Sequence, residues 1–124
     1  MGKMSRTKGA VGKRELSEIL NRKGILCHRT AQRRGDRGGA ADIEGDGLAL
    51  HIEVKRQERL RLAEWMAQAQ RDAHGQPFAV MHRANGGEWL VTMRLDEWVE
   101  DSKACELARA HRQAVLTQVT DATL

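Results

Sequence analysis

The chain has no tyrosine, one phenylalanine and one proline among its 124 residues. Trp65, Trp89 and Trp98 are therefore nearly all of its aromatic surface, and they read as core or interface residues before they read as a platform for stacked bases. No run of apolar residues reaches the length that a membrane-spanning helix needs. The first residues carry charge but lack the apolar segment of a secretory signal. Cysteine is scarce as well. Cys27 and Cys105 lie far apart, match no zinc spacing, and are expected as two buried free thiols in a reducing cytosol, with a disulfide between them as the alternative. There are no internal repeats and no low-complexity tract. What remains is a single-domain length with room for one real core.

Charge is plentiful and unevenly spread. Residues 1–37 hold eleven Lys or Arg against three Asp or Glu, a net of +8, while residues 38–124 hold ten against fourteen, a net of −4. A basic segment of this kind suits a polyanionic partner. A solvated basic tail is the plainer alternative. Residues 1–9, with Lys3, Arg6 and Lys8 and no acid, are expected as a flexible basic arm.

Periodicity then sets out the elements. A helix fits 10–23, with Leu16, Ile19 and Leu20 as its apolar stripe and Gly24 as its stop. Glu15 flanks that stripe. A short strand at 25–28 leads into the basic, glycine-rich loop RTAQRRGDRGGAA at 29–41. A strand edge at 42–44 and a tight turn at Asp46-Gly47 lead into a long strand at 48–55. A helix at 60–74 carries Leu62, Met66, Ala69 and Ala73 at helical spacing and closes at Gly75 and Pro77. Strands at 78–82 and 88–93 are joined by a turn around Asn85-Gly86-Gly87. Two helices, 95–100 and 103–116, complete the chain. The order α-β-β-β-α-β-β-α-α predicts an α/β sandwich with a mixed sheet.

The chemistry concentrates in LALHIEVK, residues 48–55. Strict alternation puts His51, Glu53 and Lys55 on one face and Leu50, Ile52 and Val54 on the other. A carboxylate and a lysine two residues apart on an otherwise apolar strand need a reason. Asp42, eleven residues before Glu53, ends the preceding turn-rich segment and is placed to lie beside it. Two carboxylates and the Val54 carbonyl supply the hard oxygens that magnesium takes, with waters and substrate phosphate completing the set. Lys55 would orient the attacking water and offset charge at the scissile phosphate. Glu15, from the first helix, is a further candidate ligand, direct or through water. Gln68, which shares a helix face with Trp65 and Asp72, is a candidate for a phosphate or a site water. The plain alternatives are a surface Asp in a turn, an edge-strand Glu paired with a neighbour, a solvated strand-end Lys, and solvated helix Glu and Gln. Lys8, Lys13, Arg14, Arg29, Thr30, Arg33, Arg34, Arg37 and Arg56 form the expected nucleic-acid surface.

With Glu15 in the first helix, Ala41-Asp42, and Glu53-Val54-Lys55 in the long strand, the chain resembles the PD-(D/E)XK nuclease superfamily. It is most similar to the archaeal-type Holliday junction resolvases and their phage and prophage relatives. The likeness covers about residues 8–99 and includes GILCHR as the first strand, the basic loop before Asp42, and the WMAQAQ helix, where Gln68 matches a glutamine that many members carry near the metal. Ala41 stands where the family often has proline, and Thr30 where resolvases often have serine. The segment after about residue 101 has no counterpart. The resemblance implies a restriction-endonuclease-like mixed β-sheet flanked by helices. It implies a magnesium-dependent DNA endonuclease, with manganese as a substitute, in which Glu15, Asp42 and Glu53 organise metal and Lys55 serves the hydrolytic water. It further implies a homodimer acting on branched or duplex DNA in the cytoplasm of a bacterium or phage-infected cell. Trp98, Val99 and the final helix are candidates for part of the dimer interface.

The expected domains are an arm at 1–9, a nuclease domain at 10–100 and a helical extension at 101–124. Cleavage of four-way junctions is the leading functional expectation. A restriction-like, repair or packaging nuclease of the same fold, a nucleic-acid-binding module without catalysis, and a structural protein of a phage particle are the alternatives.

Overall fold

The computed structural model of the chain describes residues 3–30, 41–46 and 48–123. Its elements are α1 (Lys3–Arg22), β1 (His28–Arg29), β2 (Ile43–Glu44), β3 (His51–Arg56), α2 (Leu62–Ala73), β4 (Phe78–Arg83), β5 (Leu90–Met93) and α3 (Leu95–Thr123). The five strands form one sheet in the order β1-β2-β3-β4-β5. β3 and β4 are parallel and the other neighbours are antiparallel. Parallel neighbours need a crossover, and α2 supplies it. The result is the expected restriction-endonuclease-like α/β fold, a mixed sheet flanked by helices.

The two faces of the sheet follow from strand alternation. Ile52 and Val54 of β3 pack with Leu16 and Leu20 of α1 and with Ile43 of β2. Phe78 and Val80 of β4 pack with Trp65, Ala69 and Ala73 of α2. The parallel register sets His51 beside Phe78, Glu53 beside Val80 and Lys55 beside His82. His51, Glu53 and Lys55 therefore lie on the α2 face, and the apolar residues between them lie on the α1 face.

Two local devices set the entrance to the sheet. α1 stops at Gly24, whose φ of +95° is open to glycine at little cost. Asn21 then clasps the chain that follows: its Nδ2 donates to the Cys27 carbonyl at 2.9 Å and its Oδ1 accepts from the Cys27 N–H at 2.9 Å. Gly45 passes so close to this segment that a Cβ there would meet the Leu26 carbonyl oxygen at 2.2 Å.

Several boundaries differ from the sequence expectation. α1 begins at Lys3 and takes in residues 3–9, expected as an arm, because nothing in that stretch breaks a helix except the tolerated Gly9. β1 starts at His28, three residues later than expected, since Asn21 engages both backbone groups of Cys27. β3 starts at His51 because the chain between β2 and β3 turns back on itself, the Leu48 N–H donating to the Gly45 carbonyl. The expected turn at Asp46-Gly47 lies partly outside the described residues.

The chain divides into two units, Met1–Met93 and Arg94–Leu124. The second is α3, a single helix of 29 residues where two shorter helices were expected. The segment Glu100-Asp101-Ser102-Lys103 holds no Gly or Pro, so its polar character alone does not interrupt the helix. Asp96 and Glu97 in the first turn suit the positive end of the helix dipole. The expected boundary at 100/101 falls inside this helix. Among the described residues no helix is long and apolar enough to cross a membrane.

The close approach at Gly45 makes a test of the fold. Gly45→Ala is expected to lower stability by about 1–3 kcal/mol, because the new methyl group meets backbone and not a yielding side chain. Chemical denaturation of the variant beside the natural protein measures this.

Candidate active site

Asp42 is the centre of the site. It immediately precedes β2, and its own backbone is held on both sides. Its N–H donates to the Ile52 carbonyl at 2.9 Å, and its carbonyl accepts from the Thr30 N–H at 2.9 Å. Its carboxylate is then spoken for atom by atom. Oδ2 accepts from the Val54 N–H at 2.8 Å, and Oδ1 meets Lys13 Nζ at 2.9 Å. Asp42 is buried, at 7% exposure. A buried carboxylate is costly unless charged or hydrogen-bonding groups surround it, and here they do.

Glu53 lies beside it and is buried more deeply, at 3% exposure. Burial and the neighbouring Asp42 carboxylate, to which it is hydrogen-bonded, push the Glu53 carboxyl up to about 8. Lys55 pulls the other way but less strongly. Near neutral pH Glu53 therefore keeps a proton, which it donates to Asp42. His51 Nε2 sits 3.0 Å from Glu53 Oε1. Burial lowers the His51 pKa, so this is a hydrogen bond of a neutral ring and not an ion pair.

Lys55 and Gln68 meet, a pairing that was not expected: Lys55 Nζ donates to Gln68 Oε1 at 2.9 Å. β3 points Lys55 toward α2, and α2 brings Gln68 from nearly two turns beyond its start. Beyond Lys55, His82 is buried between the Trp65 ring, 5.6 Å away, and Thr92 Oγ1 at 2.9 Å. Burial lowers its pKa too.

Glu15 has other company. Its Oε1 accepts from Arg83 and from Trp89 Nε1 at 3.0 Å, and the Arg83 guanidinium lies 6.0 Å from the Trp89 ring centroid. Among the described residues these, and not Asp42 or Glu53, are the partners of its carboxylate. Nor do the described residues contain a group of three His, Cys, Asp or Glu placed to hold a metal ion. The carboxyl pair does fit one hard divalent cation. Two adjacent carboxyls that share a proton are a donor set that such a cation neutralises better, and magnesium sites often use only one or two carboxylates with waters.

The expected nucleic-acid residues are scattered in their surroundings. Lys13 is engaged with Asp42. Arg14 and Arg29 are exposed. Thr30 and Arg56 are half-buried, and among the described residues Thr30 Oγ1 and Arg56 Nε are buried without a hydrogen-bond partner. Arg33, Arg34 and Arg37 lie outside the described residues, as does the side chain of Lys8. Lys13 as the partner of Asp42 had a trace in the sequence: it stands three residues before Leu16, on the same helix face as the core. Arg83 and Trp89 as partners of Glu15 had none.

No protein-family model and no curated protein sequence matches the chain. Among solved structures it is similar to Hjc of Archaeoglobus fulgidus, a Holliday junction resolvase from an archaeal hyperthermophile. The identity is 24% and the TM-score 0.50, over 68% of this chain and 76% of that one. At that identity the similarity is one of fold.

The protonated Glu53 makes stability depend on pH. Its folded value of about 8 stands above the ordinary 4.5, so between those limits the folded chain holds a proton that the unfolded chain has lost. Stability is expected to fall as pH rises from about 4.5 through 8 and to level off above. Glu53→Gln cannot ionise and should flatten this decline, read from denaturation midpoints at pH 5, 7 and 9 without divalent cations.

Proposed function

We propose that this chain is a divalent-cation-dependent DNA nuclease. The observation that carries the reading is the contact of Asp42 with Glu53 at the head of β3, with Lys55 two residues further along the same face. On a restriction-endonuclease-like sheet, Asp42 and Glu53 would then offer two carboxyl donors beside the Lys55 ammonium. Magnesium or manganese would be held by Asp42 and Glu53, with the Val54 carbonyl as a further oxygen. Bound there, the ion would acidify a water and offset charge on the phosphate.

The remaining roles belong to the chain's own side chains. Lys55 positions the attacking water and meets negative charge as it develops on the phosphodiester. Gln68 fixes the Lys55 ammonium, which would otherwise swing through several rotamers. His51 holds the Glu53 carboxyl by one oxygen and leaves the other toward Asp42. Glu15 stands at the margin of the site and ties α1 to Arg83 and Trp89, from where a water-mediated role remains open to it. The basic residues Arg14, Arg29 and Arg56, with Lys8, Arg33, Arg34 and Arg37, would attract the DNA backbone by charge. Within this reading, cleavage of four-way junctions by a homodimer is the finer proposal, supported by the sequence resemblance and by the fold similarity to a junction resolvase. A restriction-like, repair or packaging nuclease is its runner-up.

A second reading has one observation in its favour. The Lys13 ammonium already neutralises Asp42, and a third acidic ligand is absent among the described residues. A nucleic-acid-binding module without catalysis would need nothing more.

Labelled four-way, flap, nicked and linear duplexes, incubated with magnesium or manganese, separate these. Glu53→Gln or Lys55→Ala is expected to reduce cleavage at least about a hundredfold while leaving DNA binding within a few-fold. Undiminished cleavage by either variant would sink the catalytic assignment. Binding without cleavage by the natural protein, under every cation tried, would establish the second reading.

A further inference from the structure

The site contains a cation of its own. Lys13 Nζ lies 2.9 Å from Asp42 Oδ1, and the two side chains are only 16% and 9% exposed. This is not a solvated surface pair. Lys13 leaves α1 on the face that carries Leu16 and Leu20, both in the core, so the helix aims its ammonium inward. The approach of α1 is close enough to keep it there. Gly12, next to Lys13, is buried, and a Cβ at that position would stand 3.0 Å from the Arg56 Cβ. Helix and strand end meet backbone against side chain at this point, and the lysine stem has a short path to Asp42.

That contact has a consequence for any divalent cation. Oδ2 of Asp42 is committed to the Val54 N–H, so Oδ1 is the atom through which Asp42 would accept an ion, and Lys13 occupies it. An ammonium and a divalent cation on one carboxylate oxygen repel each other, so the two compete. The lysine side chain is long, flexible and not sealed from solvent, which gives it a way off. Arg56, beside Gly12, has an Nε that is buried without a partner among the described residues. A phosphate arriving beside Arg56 would offer the displaced ammonium a new acceptor.

Resting on the reading of Asp42 and Glu53 as a divalent-cation site, we propose that Lys13 is a resident counter-ion that holds Asp42 in the cation-free protein, weakens divalent binding by competing for Oδ1, and transfers to the DNA phosphate when the substrate arrives. Cation binding and phosphate binding are then coupled through one side chain: each draws Lys13 away from the position that excludes the other's partner. Because coupling between two ligands is reciprocal, DNA tightens cation binding by the same factor as cation tightens DNA binding. Lys13 is a positioning residue in this scheme. It acts on the cation through Asp42.

The test is manganese binding to the full chain by electron paramagnetic resonance, with and without duplex DNA, in the natural protein and in Lys13→Gln, Lys13→Glu and Lys13→Arg. Lys13→Gln is expected to bind manganese about fivefold more tightly without DNA, the equivalent of losing a competing ion pair worth about 1 kcal/mol. Lys13→Glu should bind more tightly still, and Lys13→Arg should return toward the natural affinity. DNA should tighten manganese binding in the natural protein but much less in Lys13→Gln. A merely structural lysine predicts the reverse, since loosening Asp42 can only weaken the site. Unchanged or weaker manganese binding in both Lys13→Gln and Lys13→Glu, with binding by the natural protein abolished by Glu53→Gln, would overturn this inference and leave the cation site standing. No manganese binding by the natural protein or by any Lys13 variant would overturn both.

Discussion

Burying the Asp42 carboxylate is the constraint on which the rest of this structure depends. Its N–H goes to Ile52, its carbonyl to Thr30, one oxygen to Val54 and the other to Lys13. Those four partners sit in or beside β1, β3 and α1, so a single residue ties the short β1–β2 edge to the centre of the sheet and to the first helix. β1 and β2 have two residues each, too few to hold such an edge by ladder bonds alone. A carboxylate with partners on every side is a fixed object, whereas the same group in a surface turn would sample many positions. Chemistry that needs two oxygens in register benefits from that fixity.

The two faces of β3 solve different problems with neighbouring residues. Toward α1, Ile52 and Val54 join an aliphatic cluster with Leu16, Leu20 and Ile43. Toward α2, the strand presents His51, Glu53 and Lys55 alongside the apolar Phe78, Val80 and Trp65 cluster. Polar groups survive there because each has a partner: His51 with Glu53, Glu53 with Asp42, Lys55 with Gln68. Burial beside that apolar cluster is also what shifts Glu53 and His51. A carboxyl is pushed toward its neutral form and an imidazole toward its neutral form by the same loss of water. The strand that builds the core thus also tunes the titration of the site.

Much of this was legible in the sequence. The alternation of LALHIEVK separated the two faces of β3 correctly, because a strand buried on both sides by different helices still keeps its period of two. The helical phase of Gln68 with Trp65 agrees with its facing β3, where it accepts from Lys55. Other features were not readable, for physical reasons. α3 was expected as two helices, but the residues between them, Asp101-Ser102, include neither Gly nor Pro and the helix runs on through them. Glu15 seemed free to join the carboxylates because Arg83 and Trp89 lie 68 and 74 residues away in the chain, and no local pattern announces so distant a partner. Lys13 was read as a DNA contact on charge alone. Its phase with Leu16 held the contrary information, that a lysine on the core face of a helix must reach something buried.

The charges of the site make one more step possible. Without a divalent cation, Asp42 contributes a negative charge, the protonated Glu53 none, and Lys13 and Lys55 two positive charges, while Asp72 acts on Glu53 as a further negative charge, so the cluster is close to neutral. A divalent cation held by Asp42 and Glu53 would displace the Glu53 proton and leave a positive excess among buried groups, which is unfavourable unless an anion enters with it. Cation alone and phosphate alone are each worse matched to this cluster than the two together. On the proposed reading the arrangement would favour joint binding of cation and polyanion, with the lysine on α1 as the group that changes partner between the two states.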